Sequence, residues 1–164
     1  MWFRAKSRER SPRRLDHATC WYISGVRSGS TFFRAIPTLI QDATHVFLEG
    51  SPAPDVVALV QPHVDETEYG APEGTIWSWP QRNRRLSLRV SPELLALLAE
   101  VAPHHAEPEI CEHLHVYRED EPLLHWFDAF GDPIQVSKSI PRETVERFCT
   151  EVGGILSDGL PDLR

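Results

Sequence analysis

The amino-acid sequence predicts a single α+β domain, built on a largely antiparallel mixed sheet that ends in a three-stranded meander covered by a C-terminal helix. Three observations point there. Apolar residues alternate with polar ones at the period of a half-buried strand in Leu86, Leu88, Val90 and again in Leu114, Val116. Ser91-Pro92-Glu93 opens a helix, with a capping hydroxyl, a proline at the first helical position and a carboxylate favoured by the helix dipole. The 164 residues, 41% hydrophobic and 25% charged, are one domain's length and bury a sufficient core without a disulfide or metal. The expected division is a basic N-terminal tail over 1–16, the domain over 17–158 and a C-terminal tail over 159–164.

Cys20 to Val26 is rich in aromatic and β-branched residues and runs into Arg27-Ser28-Gly29-Ser30, which reads as a strand and a turn. Phe32, Phe33, Ile36, Leu39 and Ile40 recur at helical spacing. Pro37 interrupts them, so the helix is expected to be short, broken, or to begin at the proline. Thr44 to Glu49 is a second strand, and Asp55 is placed to cap a short helix carrying Val56, Val57, Leu59 and Val60. Asp65 to Gly74 is an acidic, turn-rich loop. Thr75 to Trp79 and Leu86 to Val90 then read as strands joined through Gln81 to Arg84. The helix opened by Ser91 buries Leu94, Leu95, Leu97, Leu98 and Val101, and Pro103 stops it.

In the C-terminal third, Leu114 and Val116 alternate with His113 and His115, Glu119 to Pro122 turns the chain, and Leu123 to Ala129 returns. An even loop sets Val116 against His125, Leu114 against Phe127 and His113 against Asp128. After a turn at Gly131-Asp132, Ala129 meets Ile134 and Phe127 meets Val136. One face of the meander then collects Leu114, Val116, Phe127, Ala129, Ile134 and Val136 as core. A helix from near Pro141, with Val145, Phe148, Cys149 and Val152 on one stripe and Gly153-Gly154 at its end, covers it.

The net charge of −7 divides unevenly. Residues 1–16 hold six basic and two acidic groups, and the remainder holds eleven and 22, a body of −11. Such a body repels a phosphate backbone, so strong nucleic-acid binding by the folded part is not expected. No apolar run approaches the roughly 20 residues of a membrane span, and no signal peptide is visible, so the expected location is cytoplasmic. Cys20, Cys111 and Cys149 read as free core thiols.

Four constellations are candidates for chemistry. On the opposite face of the meander, His113, His115 and Asp128 supply the donors of a divalent-metal site, the candidate cofactor, with polar surface groups as the alternative. A one-residue bulge would bring His125 to the same side. The spacing of His113, His115 and Glu119 resembles the first metal motif of the cupin family over seven residues, with no second motif. The loop Gly25 to Thr31, with Arg27, Ser28, Gly29, Ser30 and Thr31, suits an anion at a helix N-terminus. It is similar to the phosphosulfate-binding loop of sulfotransferases over about a dozen residues; the alternative is a hairpin turn with Thr31 to Ala35 as the returning strand. Trp77, Trp79, Arg82, Arg84 and Arg85 form an aromatic and basic run fit for a partner surface, or else a hairpin with core tryptophans. His104, His105, Glu107 and Glu109 lie in a proline-bounded connection.

No complete active site follows. The expected function is therefore a non-enzymatic protein-interaction domain of regulatory or immunity type, engaging a protein partner through its acidic surface. The alternative is a small-ligand binder or enzyme using the Gly25 to Thr31 loop or the His113, His115, Asp128 face.

Overall fold

Every strand pairing among the described residues is antiparallel, in one sheet of seven strands. The structure is a computed structural model that describes residues 14–65 and 84–161. In chain order the elements are β1 (Cys20–Ser24), α1 (Gly29–Leu39), β2 (His45–Gly50), α2 (Pro54–Val60), β3 (Arg84–Arg89), α3 (Pro92–Val101), β4 (His113–Arg118), β5 (Glu121–Trp126), β6 (Ile134–Ser137), α4 (Arg142–Glu151) and β7 (Ile155–Ser157). The sheet order is β3-β2-β4-β5-β6-β1-β7. The expected α+β domain and its β4-β5-β6 meander are present, while β7 at the edge was not foreseen. The expected strand Thr75 to Trp79 and nearly all of the acidic loop lie outside the described residues.

The helices lie on one face. Phe32 of α1 meets Trp126 of β5 at 4.7 Å and Phe148 of α4 at 5.9 Å between ring centroids. Leu94 and Leu98 of α3, Val145 of α4, and Ile23, Val46, Leu48, Leu88, Leu114, Val116, Leu124, Ile134 and Val136 of the sheet complete this core. Ser91 caps α3 as expected, its hydroxyl accepting from Leu94 N at 3.1 Å. Four local expectations change. The helix α1 runs through Pro37, whose missing N–H removes the backbone bond to the Phe33 carbonyl, and the buried Phe32, Phe33, Ile36 and Leu39 hold the helix across that loss. Residues 29–39 being helical removes the hairpin in which Thr31 to Ala35 return as a strand. Asp55 sits in the first turn of α2 rather than at its cap, which is Ala53. Arg84 belongs to β3 and faces Gly50 rather than a turn.

The register of the meander is the main correction. Arg118 faces Glu121 and Tyr117 faces Pro122, but Val116 faces Leu124, His115 faces His125 and Leu114 faces Trp126. Leu123 is an extra residue in β5, a β-bulge between the turn and the centre of the strand pair. Because side chains alternate, this one residue exchanges the faces. Leu124 and Trp126 enter the core in place of the expected Phe127, and His125 moves to the side of His115. Next to it, Leu124 faces Val136 and His125 faces Gln135, three residues from the expected alignment. The chain leaves the ladder after Trp126, through Asp128 and Phe130 at φ 45° and 71°.

Leu124 is fully buried. Leu124→Ala is expected to lower stability by about 2–5 kcal/mol and Ser91→Ala by about 1 kcal/mol in urea unfolding. A loss below about 1 kcal/mol for Leu124→Ala would place that side chain outside the core.

Candidate functional site

The same register that fills the core organises the other face. Across the strands, Ser87, Phe47, His115, His125, Gln135 and Tyr22 form one row. Arg85, Glu49 and His113 form a second, and Arg89, His45 and Tyr117 a third. His115 and His125 are 0% and 1% exposed, and Glu49 is 8% exposed. A carboxylate and two imidazoles at this depth need partners, because a buried charge or unpaired polar atom is costly.

Their partners are one another. His125 Nδ1 and His115 Nδ1 share a hydrogen bond of 2.8 Å. His115 Nε2 lies 3.7 Å from Glu49 Oε2, and Arg85 Nε lies 3.6 Å from Glu49 Oε1. The guanidinium also sits 4.3 Å over the Phe47 ring. His125 stacks parallel to Phe127 at 5.7 Å, and Tyr117 meets His125 edge-on at 5.6 Å.

Burial pushes the Glu49 carboxyl up, but His115, Arg85 and His113 pull it down further, so it is ionised below the ordinary carboxylate range. Burial lowers His115 against the pull of Glu49. Burial, with His115 and Arg14 nearby, brings His125 down to about 3. At neutral pH the cluster therefore holds one anion, one cation and two neutral imidazoles. A neutral imidazole has one N–H, and one of the two Nδ1 atoms must donate to the other. Glu49 favours the proton on His115 Nε2. His115 Nδ1 then accepts from His125 Nδ1–H, which leaves a lone pair on His125 Nε2. The polar atoms run as a relay from Arg85 through Glu49 and His115 to His125.

The relay is incomplete at its ends and along its length. Glu49 Oε1, Arg85 Nε and Nη2, Ser87 Oγ, His115 Nε2 and His125 Nε2 are buried without a hydrogen-bond partner among the described residues. The separations of 3.6 and 3.7 Å are Coulombic contacts, too long for hydrogen bonds. Each such orphan costs roughly 1–3 kcal/mol, and six of them are concentrated in one cluster. No family model, curated protein or solved structure matches the chain. The reading of the site therefore rests on its own geometry.

The other expected sites are placed as follows. His113 Nδ1 accepts from the backbone N of Asp128 at 2.9 Å, while Asp128 itself is exposed. Glu119 is exposed in the turn at φ 52°, so the His113, His115, Glu119 spacing does not form a common set here. No group of three His, Cys, Asp or Glu among the described residues could hold a metal ion. In the loop before α1, Ser28 is the N-cap and accepts from Thr31 N at 3.2 Å and Thr31 Oγ1 at 3.0 Å. A Cβ on Gly29 would meet the Phe130 ring at 3.1 Å, so packing explains that glycine. Arg27 is exposed, Gly29 and Ser30 are half-buried, and the flanking sheet is antiparallel rather than the parallel one of phosphate-binding strand-loop-helix units. His105 pairs with Asp55 at 3.0 Å and Glu109 at 3.5 Å, tying its loop to α2. The three cysteines are free and buried. Burial raises each of them, Cys111 to about 12. Trp77, Trp79 and Arg82 lie outside the described residues, and Arg85 belongs to the relay. Sequence reasoning missed Glu49, although a carboxylate inside the apolar run Val46-Phe47-Leu48 was a visible signal.

Since the His125 pKa is depressed, the unfolded chain takes up a proton before the folded one does. Its contribution is complete above about 6.5 and is lost as pH falls toward 3; the depressed Glu49 acts in the same direction below the ordinary carboxylate value. Stability is expected to fall by about 3 kcal/mol for His125 alone between pH 7.5 and pH 4. His125→Gln should flatten the profile by a comparable amount. An unchanged slope in that variant would show that His125 is not buried in its neutral form.

Proposed function

We propose that the protein binds a small polar ligand on the face of its sheet opposite the helices, at the cluster of Glu49, Arg85, His115 and His125. One observation carries this reading: buried donors and acceptors of a charge-balanced relay remain unsatisfied together. Packing alone does not call for a carboxylate, a guanidinium and two imidazoles beneath a surface, and apolar residues of the same shape would hold the sheet at lower cost. A ligand that supplies the missing hydrogen bonds recovers that cost on binding.

Binding is favoured over covalent catalysis by the same groups. The cysteines are protonated at neutral pH, and the relay ends on an imidazole lone pair beside aromatic rings rather than on an activated hydroxyl or thiol. The protein-partner reading rests on the −11 body. The exposed large apolar residues Leu59, Ile155 and Leu160 add little to it, since isolated exposed apolar residues are ordinary.

Thermal shift of the full chain against polar small molecules, including sugars, amides, nucleobases, amino acids, phosphate and zinc, tests the proposal. At least one compound is expected to raise the midpoint by a few degrees near saturation. The same compound should move the imidazole nitrogen resonances of His115 and His125 and lose its effect in His125→Leu. No stabilising compound, or one that acts equally on His125→Leu and leaves the imidazoles unmoved, would overturn it.

A further inference from the structure

The sheet has two faces, and the helices account for one. Phe32, Leu94, Leu98 and Val145 pack against Val46, Leu114, Val116 and Leu124, whereas Tyr117, His115 and His125 alternate to the other side. There Tyr117 is 1% exposed, His115 0% and His125 1%. An antiparallel sheet face with nothing laid over it stands open to water, so side chains this deep require a second layer. None of the helices among the described residues supplies it.

The chain arrives on this face at Arg14, whose guanidinium lies 5.3 Å over the Phe127 ring. Burial lowers His125 and raises Tyr117, and the Arg14 charge adds to the first and opposes the second. Residues 1–13 continue from that point. Fully extended they reach about 45 Å, against about 14 Å for the three strand spacings from β5 to β3. They hold Arg4, Lys6, Arg8, Arg10 and Arg13 against Glu9, with Trp2 and Phe3 as apolar surface. The ground beside Tyr117 has the opposite sign, since Glu119, Asp120 and Glu121 are exposed on the β4-β5 turn and Arg118 offsets only one of them. Residues 66–83 hold three acidic groups and one basic one, the sign of the turn itself.

We infer that residues 1–13 dock on this face as a basic strap, lying over Tyr117 and His125 and setting their arginines against the acidic turn Glu119-Asp120-Glu121. Burial and charge carry the strap independently of any ligand, and a ligand entering the relay would have to displace it.

A nitroxide on the thiol of Ser7→Cys tests this in the full chain, because Cys20, Cys111 and Cys149 are buried and do not take the label. The label is expected to cut the amide resonances of Tyr117, Glu119 and His125 by more than half and to leave those of Leu98 and Phe148, on helices of the other face, unchanged. Arg10→Glu combined with Arg13→Glu should return at least half of the lost intensity, because like charges then meet at the turn. No loss at Tyr117 and His125, equal losses on both faces, or a loss that the double substitution leaves intact would overturn the inference. So would a loss that arises only between a spin-labelled copy and a separate nitrogen-15 copy in a mixed sample, which would make a second copy the cover.

Discussion

One inserted residue, Leu123, decides which side of the sheet the last half of β5 presents. The two-residue turn at Glu119-Asp120 pairs Arg118 with Glu121, and without the bulge that register would continue to set His115 against Leu124. A histidine would then enter the hydrophobic core and a leucine would stand beside His115. With the bulge, Leu124 and Trp126 pack beneath the helices and His125 completes the relay. The bulged residue is itself buried, which holds the irregularity in place. Core and candidate site are two results of the same register.

Glu49 is the second determinant, because it fixes the direction of the relay. A pair of neutral imidazoles joined through Nδ1 could carry its proton on either ring. The carboxylate beside His115 Nε2 breaks that symmetry, and His115 and Arg85 hold the carboxyl below its ordinary range against the upward pull of burial. The result is a polar line with a donor end and an acceptor end, balanced in charge and laid across four neighbouring strands. That directional character separates it from a surface salt bridge such as Arg118 with Glu121, whose partners are solvated and whose geometry imposes nothing on a ligand.

Much of the fold was legible because its signals are local. Ser91-Pro92-Glu93 carries its own cap, the alternation of Leu86 and Leu88 carries its own face, and Val145, Phe148 and Cys149 mark one stripe of α4. Pro37 misled because the burial of Phe32, Phe33, Ile36 and Leu39 on one face outweighs the one backbone bond the proline removes. The register of β5 was illegible for a different reason. Turn length and bulge trade off residue for residue, and the packing of Leu124 in the core and of Trp126 against Phe32 and Phe130 favours the observed solution. His113 and His115 were recognised as sharing a face, but His113 turned to the backbone of Asp128, and the partners of His115, Glu49 and His125, come from other strands. Such convergence is set by long-range pairing, which spacing along one segment does not encode.

The histidine pair is buried, neutral and directionally polarised, and it ends on a lone pair at His125 Nε2. Nitrogen-15 NMR of the imidazole rings reads both charge and tautomer. At pH 7 two neutral rings are expected, His115 protonated at Nε2 and His125 at Nδ1, with His125 taking up a second proton only near pH 3 and His115 below the ordinary histidine value. A His125 ring protonated at Nε2, or a pair that titrates near the ordinary histidine value, would contradict that expectation.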